Sequence, residues 1–289
     1  METPMRTLAR FLAAALAATA FLAPAAATAS ETGSTRTAVE LGTPHPQAHA
    51  HNDYEHERPL FDALEHGFTS VEADVWLVDG ELLVAHDAVD LDPARTLEGL
   101  YLAPLKELVS GRGRDVYPGY DGTFQLLIDI KNTGEATYAA VEKELGDYEE
   151  LFTRYENGTV KDGPIEAVIS GDRPLETMRA ATDRFGFYDG RMSDLDSGMP
   201  SSLMPLVSDN WTKVFLWQGI GPMPETERRK LHEIVDRAHS RGYRVRFWAT
   251  PDTDGPAREA VWTELLAAGV DHINTDDLED LDAFLSAHE

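Results

Sequence analysis

A rhythm of strand followed by helix runs through the chain and restricts the folds open to it. Polar and apolar residues alternate cleanly in SVEADVWLV (70–78), and FQLLIDIK (124–131) is a second strand pattern. Helical periodicity covers 225–242 and 255–269. Strands that alternate with helices pair in parallel through right-handed crossovers. About eight such units in one domain predict a closed (β/α)8 TIM barrel rather than an open doubly wound sheet.

Other segments extend this rhythm along the chain. A helix ending at Gly67 follows the first strand, Asp79-Gly80 turns the second strand into a hairpin, and a helix covers 135–150. No Gly-x-Gly-x-x-Gly or Walker-type loop occurs in the sequence, which argues against nucleotide binding. The remaining strand candidates are 47–51, 165–170, 185–190, 204–210, 213–217, 243–250 and 270–277.

The N-terminal residues are typical of a secretory leader. A basic MRTLAR precedes an apolar run that is short for a membrane span, and Ala27-Thr28-Ala29 fits the small-x-small cleavage rule. We therefore expect a signal peptide over 1–29, a flexible linker over 30–46 and a single domain over 47–289, with the mature protein secreted. A membrane anchor is the alternative interpretation of the leader.

Composition narrows the possible partners and chemistry. The formal net charge of −26 argues against binding nucleic acid or an anionic membrane through broad electrostatics, and it is compatible with divalent cations. The chain has 0 cysteines, which excludes disulfides, a cysteine nucleophile and thiolate metal ligands. We expect a monomer with no integral membrane segment in the mature chain.

Two carboxylates share one face of the segment 70–78. Glu72 and Asp74 alternate with apolar residues that must face the helices, so both are predicted to point into the barrel. They lie near the end of their strand, where barrel active sites form. A hard divalent cation such as Mg²⁺ or Ca²⁺ would relieve their mutual repulsion. Pairing with Arg or Lys is the alternative.

The segment 124–131 repeats this arrangement. Asp129 and Lys131 share a face opposite apolar neighbours. Asp129 is a candidate third metal ligand, and Lys131 can neutralise the site or hold an anionic oxygen. A simple neighbour pair within the strand is the alternative, although unpaired charges in an apolar strand are costly.

Histidines stand near the ends of two predicted strands. His86 ends the hairpin strand, and Asp87 is placed to orient its ring. In HAHND, His49 and His51 share one face and two alanines share the other, so alternation alone does not decide which pair faces inward. In-line phosphoryl chemistry needs one group to take a proton from the attacking oxygen and another to give one to the leaving oxygen.

The order His, Glu-x-Asp, His-Asp and Asp-x-Lys resembles the pattern of the glycerophosphodiester phosphodiesterase superfamily. That superfamily includes phosphatidylinositol-specific phospholipase C and sphingomyelinase D-like phospholipases D. The segments that carry the resemblance are 70–87, 244–252 and 269–281. The resemblance implies a TIM barrel with His51 and His86 as the acid/base pair. It also implies Mg²⁺ or Ca²⁺ ligands at Glu72, Asp74 and Asp129, and phosphate binding at Lys131. Trp248 would line the pocket floor, and ordinary barrel core is the alternative for this residue.

The chain departs from that pattern just after His51. Glycerophosphodiesterases usually carry Arg and Gly there, whereas this chain has Asn52 and Asp53. An Asn cannot make the bidentate phosphate contact of an Arg, so we reassign that contact to Lys131 or Arg173. Asp rather than Glu at the third acidic position is closer to the sphingomyelinase D arrangement.

Several secondary candidates complete the predicted site. Arg173 begins a helix after a strand, although a capping turn with Asp172 as N-cap is the alternative. Asn274 and Asp276 end the last strand, where we favour structural hydrogen bonding. Asn52 is kept as a candidate substrate contact, and the expected supporting residues are His49, Asp53 and Asp87.

Together these patterns predict a secreted, metal-dependent phosphoric diester hydrolase that acts on glycerophosphodiesters or phospholipid head groups. One alternative is a sphingomyelinase D-like or phospholipase D-like lyase that forms a cyclic phosphate, and another is a binding barrel that keeps the metal without turnover. A sugar-processing barrel using Glu72 and Asp74 is less consistent with the sequence. Neighbouring positions on one strand suit metal binding better than glycoside cleavage, whose carboxyl groups flank a bond at ~5–9 Å.

Overall fold

The computed structural model describes residues 39–111 and 115–288. The predicted signal peptide and the first part of the predicted linker lie outside these residues. The amide of Gly42 donates to the carbonyl of Leu64 at 2.9 Å, and the first strand begins at His45. The chain is therefore packed before residue 46, the expected end of the linker.

Twelve strands occur in the described residues, and eight of them close into a parallel barrel. In bonded order the barrel strands are β1, β12, β11, β10, β9, β7, β4 and β2, and β2 pairs with β1 to complete the ring. The strands are β1 His45–Ala50, β2 Phe68–Val78, β3 Glu81–Val84, β4 Phe124–Ile130, β5 Arg154–Glu156, β6 Thr159–Lys161, β7 Ile165–Gly171, β8 Asp183–Arg184, β9 Gly186–Gly190, β10 Leu206–Asn210, β11 Arg244–Trp248 and β12 His272–Thr275. The predicted (β/α)8 barrel is confirmed.

Helices cover the outside of the barrel and return the chain between parallel strands. They are α1 Phe61–Glu65, α2 Ala103–Gly111, α3 Gly134–Asp147, α4 Leu175–Ala180, α5 Trp211–Val214, α6 Glu225–His239, α7 Pro256–Ala268 and α8 Leu278–Ser286. Short helical turns also occur at Asp53–Glu55, Ala88–Asp90, Glu98–Leu102 and Met192–Asp194. Within the described part of the chain, none of the helices is long and apolar enough to cross a bilayer.

Three elements differ from the prediction. The segment 213–217 lies in the helical turn α5 and the loop after it, because Asn210 caps the turn by accepting from the amide of Thr212 at 2.8 Å. The helix α8 was not predicted. A small antiparallel sheet of β6, β5 and β8 was also missed, although Asn157-Gly158 has positive φ at both residues, as a tight hairpin requires.

Side chains inside the barrel are layered. Leu127, Val168 and Leu206 are fully buried and pack together as an apolar layer. The next inward residues along the same strands are Asp129, Ser170 and Ser208. The polar layer therefore lies toward the C-terminal ends of the strands, which is the end where TIM-barrel active sites form.

Candidate active site

Three carboxylates converge where the middle of β2 lies beside the C-terminal end of β4. Each of Glu72, Asp74 and Asp129 offers an oxygen within 4.8 Å of the others. Asp74 and Asp129 are register partners on the two neighbouring strands. The apolar residues that alternate with Glu72 and Asp74 are fully buried, so the predicted inward orientation of the acids is confirmed.

Two cations lie against these carboxylates. The Lys131 Nζ is 2.8 Å from Asp74 Oδ2 and 3.1 Å from Asp129 Oδ1. Arg246 Nη2 donates to Glu72 Oε2 at 2.5 Å. Burial opposes the charged form of Lys131, but the adjacent carboxylates outweigh it and raise the pKa of the ammonium. The cluster thus combines the two arrangements weighed from the sequence: converging oxygens and cation pairing.

The three carboxyl groups differ in their titration. Burial and the negative charge of Glu72 raise the pKa of Asp74 to about 6, and the same two causes raise the pKa of Asp129. Burial would also raise the pKa of Glu72, but Arg246 and the hydrogen bond from His49 hold it well below its usual range. Glu72 is therefore the most firmly ionised member of the cluster.

One oxygen of Asp74 carries the clearest sign of a missing partner. Asp74 Oδ1 is buried and has no hydrogen-bond partner within residues 39–111 and 115–288. Its Oδ2 accepts from Tyr54 at 2.6 Å. A buried carboxylate oxygen without a partner is costly unless a cation or water meets it. Three carboxylates around such an oxygen are a suitable donor set for Mg²⁺ or Ca²⁺.

His51 lies just beyond β1 with its ring held by Asp276. Its Nδ1 is 2.7 Å from Asp276 Oδ1, and an ionised carboxylate can only accept, so Nδ1 donates. In the described chain no residue hydrogen-bonds its Nε2, and the side chain is 26% exposed. Burial lowers the pKa of His51, but the bond to Asp276 and the charge of Glu72 outweigh this and raise it. The free nitrogen is available for proton transfer.

His86 faces the same cluster from the end of the hairpin. Its Nδ1 lies 3.1 Å from Asp74 Oδ2 and 3.2 Å from the Tyr54 hydroxyl, and the side chain is 54% exposed. The expectation that Asp87 orients this ring is wrong. Asp87 is exposed and precedes the turn Ala88–Asp90 without capping it, so Asp74 and Tyr54 set the ring position.

His49 is the deeper of the two inward histidines. It is fully buried, with Nδ1 2.7 Å from the Ser70 hydroxyl and Nε2 3.2 Å from Glu72 Oε2. Burial and the charge of Arg246 lower the pKa of His49 to about 3, so the ring is neutral. Both ring nitrogens are engaged, and the contact with Glu72 helps to hold that carboxylate in place.

Asn52 connects His51 with the opposite side of the mouth. It adopts a left-handed conformation with φ 48°, which Asn tolerates better than most residues. Its Oδ1 lies 2.8 Å from the Tyr54 hydroxyl, and its Nδ2 donates to Asp276 Oδ1 at 3.3 Å. The amide therefore braces the residues that hold both histidines.

Asp53 points away from the carboxylate cluster. Its buried Oδ2 accepts from the Leu60 amide at 2.6 Å and from the Tyr101 hydroxyl at 2.9 Å. Burial raises the pKa of Asp53 to about 7, although these two bonds partly oppose the shift. Asp53 supports the site by shaping the loop after β1.

The structure does not bring Arg173 into the cluster. Its Nε donates to the carbonyl of Asp189 at 2.5 Å and its Nη1 to that of Gly171 at 2.8 Å, and the guanidinium stacks on Tyr188. The predicted anion contact is corrected to a backbone brace. Asp172 is not the N-cap of α4 either, because its Oδ2 accepts from the amide at the start of α3.

Arg191 is the cation near Asp129 that the sequence did not single out. It follows β9, and its Nη1 donates to the buried carboxylate of Asp189 at 2.6 Å while its Nη2 donates to Ser170 at 3.2 Å. Burial lowers the pKa of Arg191, but the charges of Asp189 and Asp129 outweigh this and raise it. Arg191 follows a strand just as Arg173 does, so nothing in the sequence distinguishes the two arginines as site residues.

The strands β11 and β12 supply further residues near the site, among them Arg246, which the sequence analysis missed. Arg246 Nε donates to Asn274 Oδ1 at 2.8 Å, which links β11 and β12 behind Glu72. Trp248 is on the Arg246 face, one step nearer the mouth, and Lys213 Nζ lies 6.0 Å from the centre of its ring. Trp248 therefore lies at the rim of the site rather than at its floor.

Comparison with known proteins shows the family to which the chain belongs. Residues 43–189, which contain both histidines and the three carboxylates, match an AIM6-like phosphodiesterase domain. The Altered inheritance of mitochondria protein 6 homolog of Arthroderma benhamiae is 32% identical over 254 residues, covering 80% of this chain and 81% of that protein. The chain belongs to the AIM6-like phosphodiesterase family.

Further matches place this family within the predicted superfamily. The Altered inheritance of mitochondria protein 6 of Lachancea thermotolerans is 32% identical over 280 residues, covering 82% of this chain and 65% of that protein. Residues 244–279 match the glycerophosphoryl diester phosphodiesterase family. The crystal structure of a glycerophosphoryl diester phosphodiesterase from Parabacteroides distasonis superposes with a TM-score of 0.52, covering 86% of this chain and 94% of that one. At 12% identity this likeness bears on the fold, which it confirms.

Proposed function

We propose that the protein is a metal-dependent phosphoric diester hydrolase that acts on glycerophosphodiesters or phospholipid head groups. The observation that carries the proposal is the presence of His51 and His86 at the end of the barrel that holds the carboxylate cluster. Each ring has its Nδ1 against a carboxylate, so each Nε2 is left for a substrate proton. From the sequence alone, we also propose that the protein is secreted and monomeric.

The two histidines divide the proton transfers. One Nε2 takes the proton of the attacking oxygen, and the other returns a proton to the leaving oxygen. Asp276 favours the protonated form of His51, and Asp74 accepts from His86, so each ring is held in the required orientation. The attacking oxygen belongs to water in a direct hydrolysis, or to a substrate hydroxyl if a cyclic phosphate forms.

The cations of the site neutralise the phosphate. Lys131 lies between Asp74 and Asp129, and Arg191 follows β9 at the same end of the barrel, so both can attract anionic oxygens. Glu72, Asp74 and Asp129 would hold the divalent cation. When bound, that ion supplies further charge neutralisation as a Lewis acid.

The test is hydrolysis by the purified protein. We expect turnover of bis(p-nitrophenyl) phosphate and of a glycerophosphodiester or phospholipid substrate with Mg²⁺ or Ca²⁺, and loss of turnover in chelator. The variants His51→Gln and His86→Gln should each lose about 10²- to 10⁴-fold in kcat. His239→Gln, at an exposed histidine paired with Asp271, is the matched control.

Two readouts separate this function from its alternatives. Phosphorus NMR of the product distinguishes a cyclic phosphate from an open monoester. Full activity in both histidine variants would refute the acid/base assignment. A protein that binds the metal but turns over none of these diesters would instead be a binding barrel.

A further inference from the structure

Three large apolar side chains stand almost fully in solvent within the described chain. They are Val89, Leu216 and Ile220, with exposures of 87%, 88% and 82%. Val89 follows His86, and the other two lie in the loop between α5 and α6, which leaves the C-terminal end of β10. All three are therefore on loops at the catalytic end of the barrel.

The loop that carries Leu216 and Ile220 is held rigidly. The amides of Leu216 and Trp217 donate to the two carboxylate oxygens of Glu227 at 3.1 and 3.0 Å. The indole nitrogen of Trp217 lies 3.2 Å from the carbonyls of both Ile220 and Gly221. The backbone is thus fixed from within, while its two apolar side chains are displayed outward.

A basic groove adjoins this loop. It has a volume of about 310 Å³, and Lys213, Lys230 and Arg237 line it together with apolar side chains such as Met192 and Val214. Glu233 is the one acid in that lining, while Arg237 Nη1 lies 3.7 Å from Asp196 outside it and Lys230 Nζ donates to the carbonyl of Val214 at 2.6 Å. One residue of the groove, Lys213, also lies near the rim of the site, with its Nζ 6.0 Å from the centre of the Trp248 ring.

We propose that Leu216, Ile220 and the basic groove dock the catalytic end on a phospholipid surface. The apolar side chains enter the boundary between head groups and acyl chains, and the cations meet lipid phosphates. The net charge of −26 disfavours strongly anionic lipid, so the surface is a zwitterionic one. Resting on the proposed function, this inference names the substrate class: a diester presented by a lipid surface.

The test measures binding to phosphatidylcholine vesicles by co-sedimentation. Wild-type protein should sediment with the vesicles, and Leu216→Ser/Ile220→Ser should bind about tenfold or more weakly, because the two apolar side chains that the lipid surface would cover are lost. Val89→Ser is the matched control, since it removes an equally exposed apolar group from another loop. All three proteins should hydrolyse soluble bis(p-nitrophenyl) phosphate at one rate.

Three outcomes would overturn the inference: no vesicle binding by the wild type, unchanged binding by the double variant, or an equal loss in Val89→Ser. Binding is measured without turnover, so these outcomes do not depend on the proposed function. Conversely, failure to hydrolyse any soluble or lipid diester would refute the proposed function and leave the binding result standing. Equal thermal midpoints for the variants would show that all of them fold.

Discussion

His51 and Asp276 are 225 residues apart in sequence, yet Nδ1 of the histidine lies 2.7 Å from Oδ1 of the aspartate. The closure of the barrel brings them together. The amide of His51 donates to the carbonyl of Thr275 at 3.0 Å, which extends the pairing of β1 with β12. The position of the acid/base candidate is therefore set by the seam at which the first and last strands meet.

Replacing Asp276 tests this positioning role. In Asp276→Asn the carboxylate that raises the pKa of His51 is lost, so that pKa should fall. We expect kcat to fall roughly 10- to 100-fold as the ring loses its orientation. The pKa is measured by NMR titration of the His51 ring, assigned with His51→Gln.

The matched control for that variant is Asp271→Asn, which removes the carboxylate from His239 at 2.8 Å. Its kcat and the His51 titration should match those of the wild type. An unchanged His51 pKa in Asp276→Asn would contradict the role of the carboxylate, even if activity fell.

Replacing Asp129 tests the metal site without an activity assay. Asp129→Asn removes one of the three converging oxygen ligands, and affinity for Mg²⁺ or Ca²⁺ should fall at least about tenfold. The measurement is calorimetric titration of each ion. Asp87→Asn changes an exposed acid outside the cluster and should leave the affinity as it is. Equal affinities for Asp129→Asn and wild type would rule out this ligand set.

The buried pair of Glu72 and Arg246 makes a prediction about stability. Both side chains are buried, so Arg246→Met would leave a charge without its main partner. We expect the free energy of unfolding in urea to fall by about 3–5 kcal/mol. Glu72→Gln/Arg246→Met should recover part of this loss because no unpaired charge remains. Equal stability of the single and double variants would contradict that explanation.

Asp53 predicts a pH dependence of stability. Its pKa is raised from 3.8 to about 7 in the folded protein, so the folded state holds a proton that the unfolded state releases. The contribution of Asp53 to the free energy of unfolding is fully present below the pKa of the unfolded state. It is lost as pH rises through the pKa of the folded state. Asp53→Asn cannot ionise and should gain about 1–3 kcal/mol relative to wild type between about pH 4 and about pH 8.

Urea unfolding across that pH range measures the effect. The control is Asp90→Asn, at an exposed position, whose difference from wild type should not change with pH. A pH-independent difference for Asp53→Asn would show that the buried carboxyl does not titrate in this window.

Alternation within single strands was enough to predict half of the site. Glu72, Asp74, Asp129 and Lys131 each face inward because their apolar neighbours must pack under helices. The same reasoning gave the barrel itself. These predictions depend on local patterns, because the direction of each side chain is fixed by neighbours within a few residues in the same strand.

The other half depends on contacts between distant strands. Alternation could not decide between His49 and His51. Their roles follow from their contacts, which are with Glu72 for His49 and with Asp276 for His51. Nor could alternation choose between Arg173 and Arg191, because both follow strands and differ in what lies opposite them. Arg246 lies 174 residues from Glu72, so no local pattern reports the pair.

The seam between β1 and β12 has a consequence for biosynthesis. A ribosome makes His51 early and Asp276 near the end of the described residues, after every other barrel strand. A nascent chain that already contains both histidines, the three carboxylates and seven barrel strands still lacks the group that holds His51. The proposed hydrolysis must therefore await synthesis of the eighth barrel strand, and shortened chains that end before that strand should not carry it out.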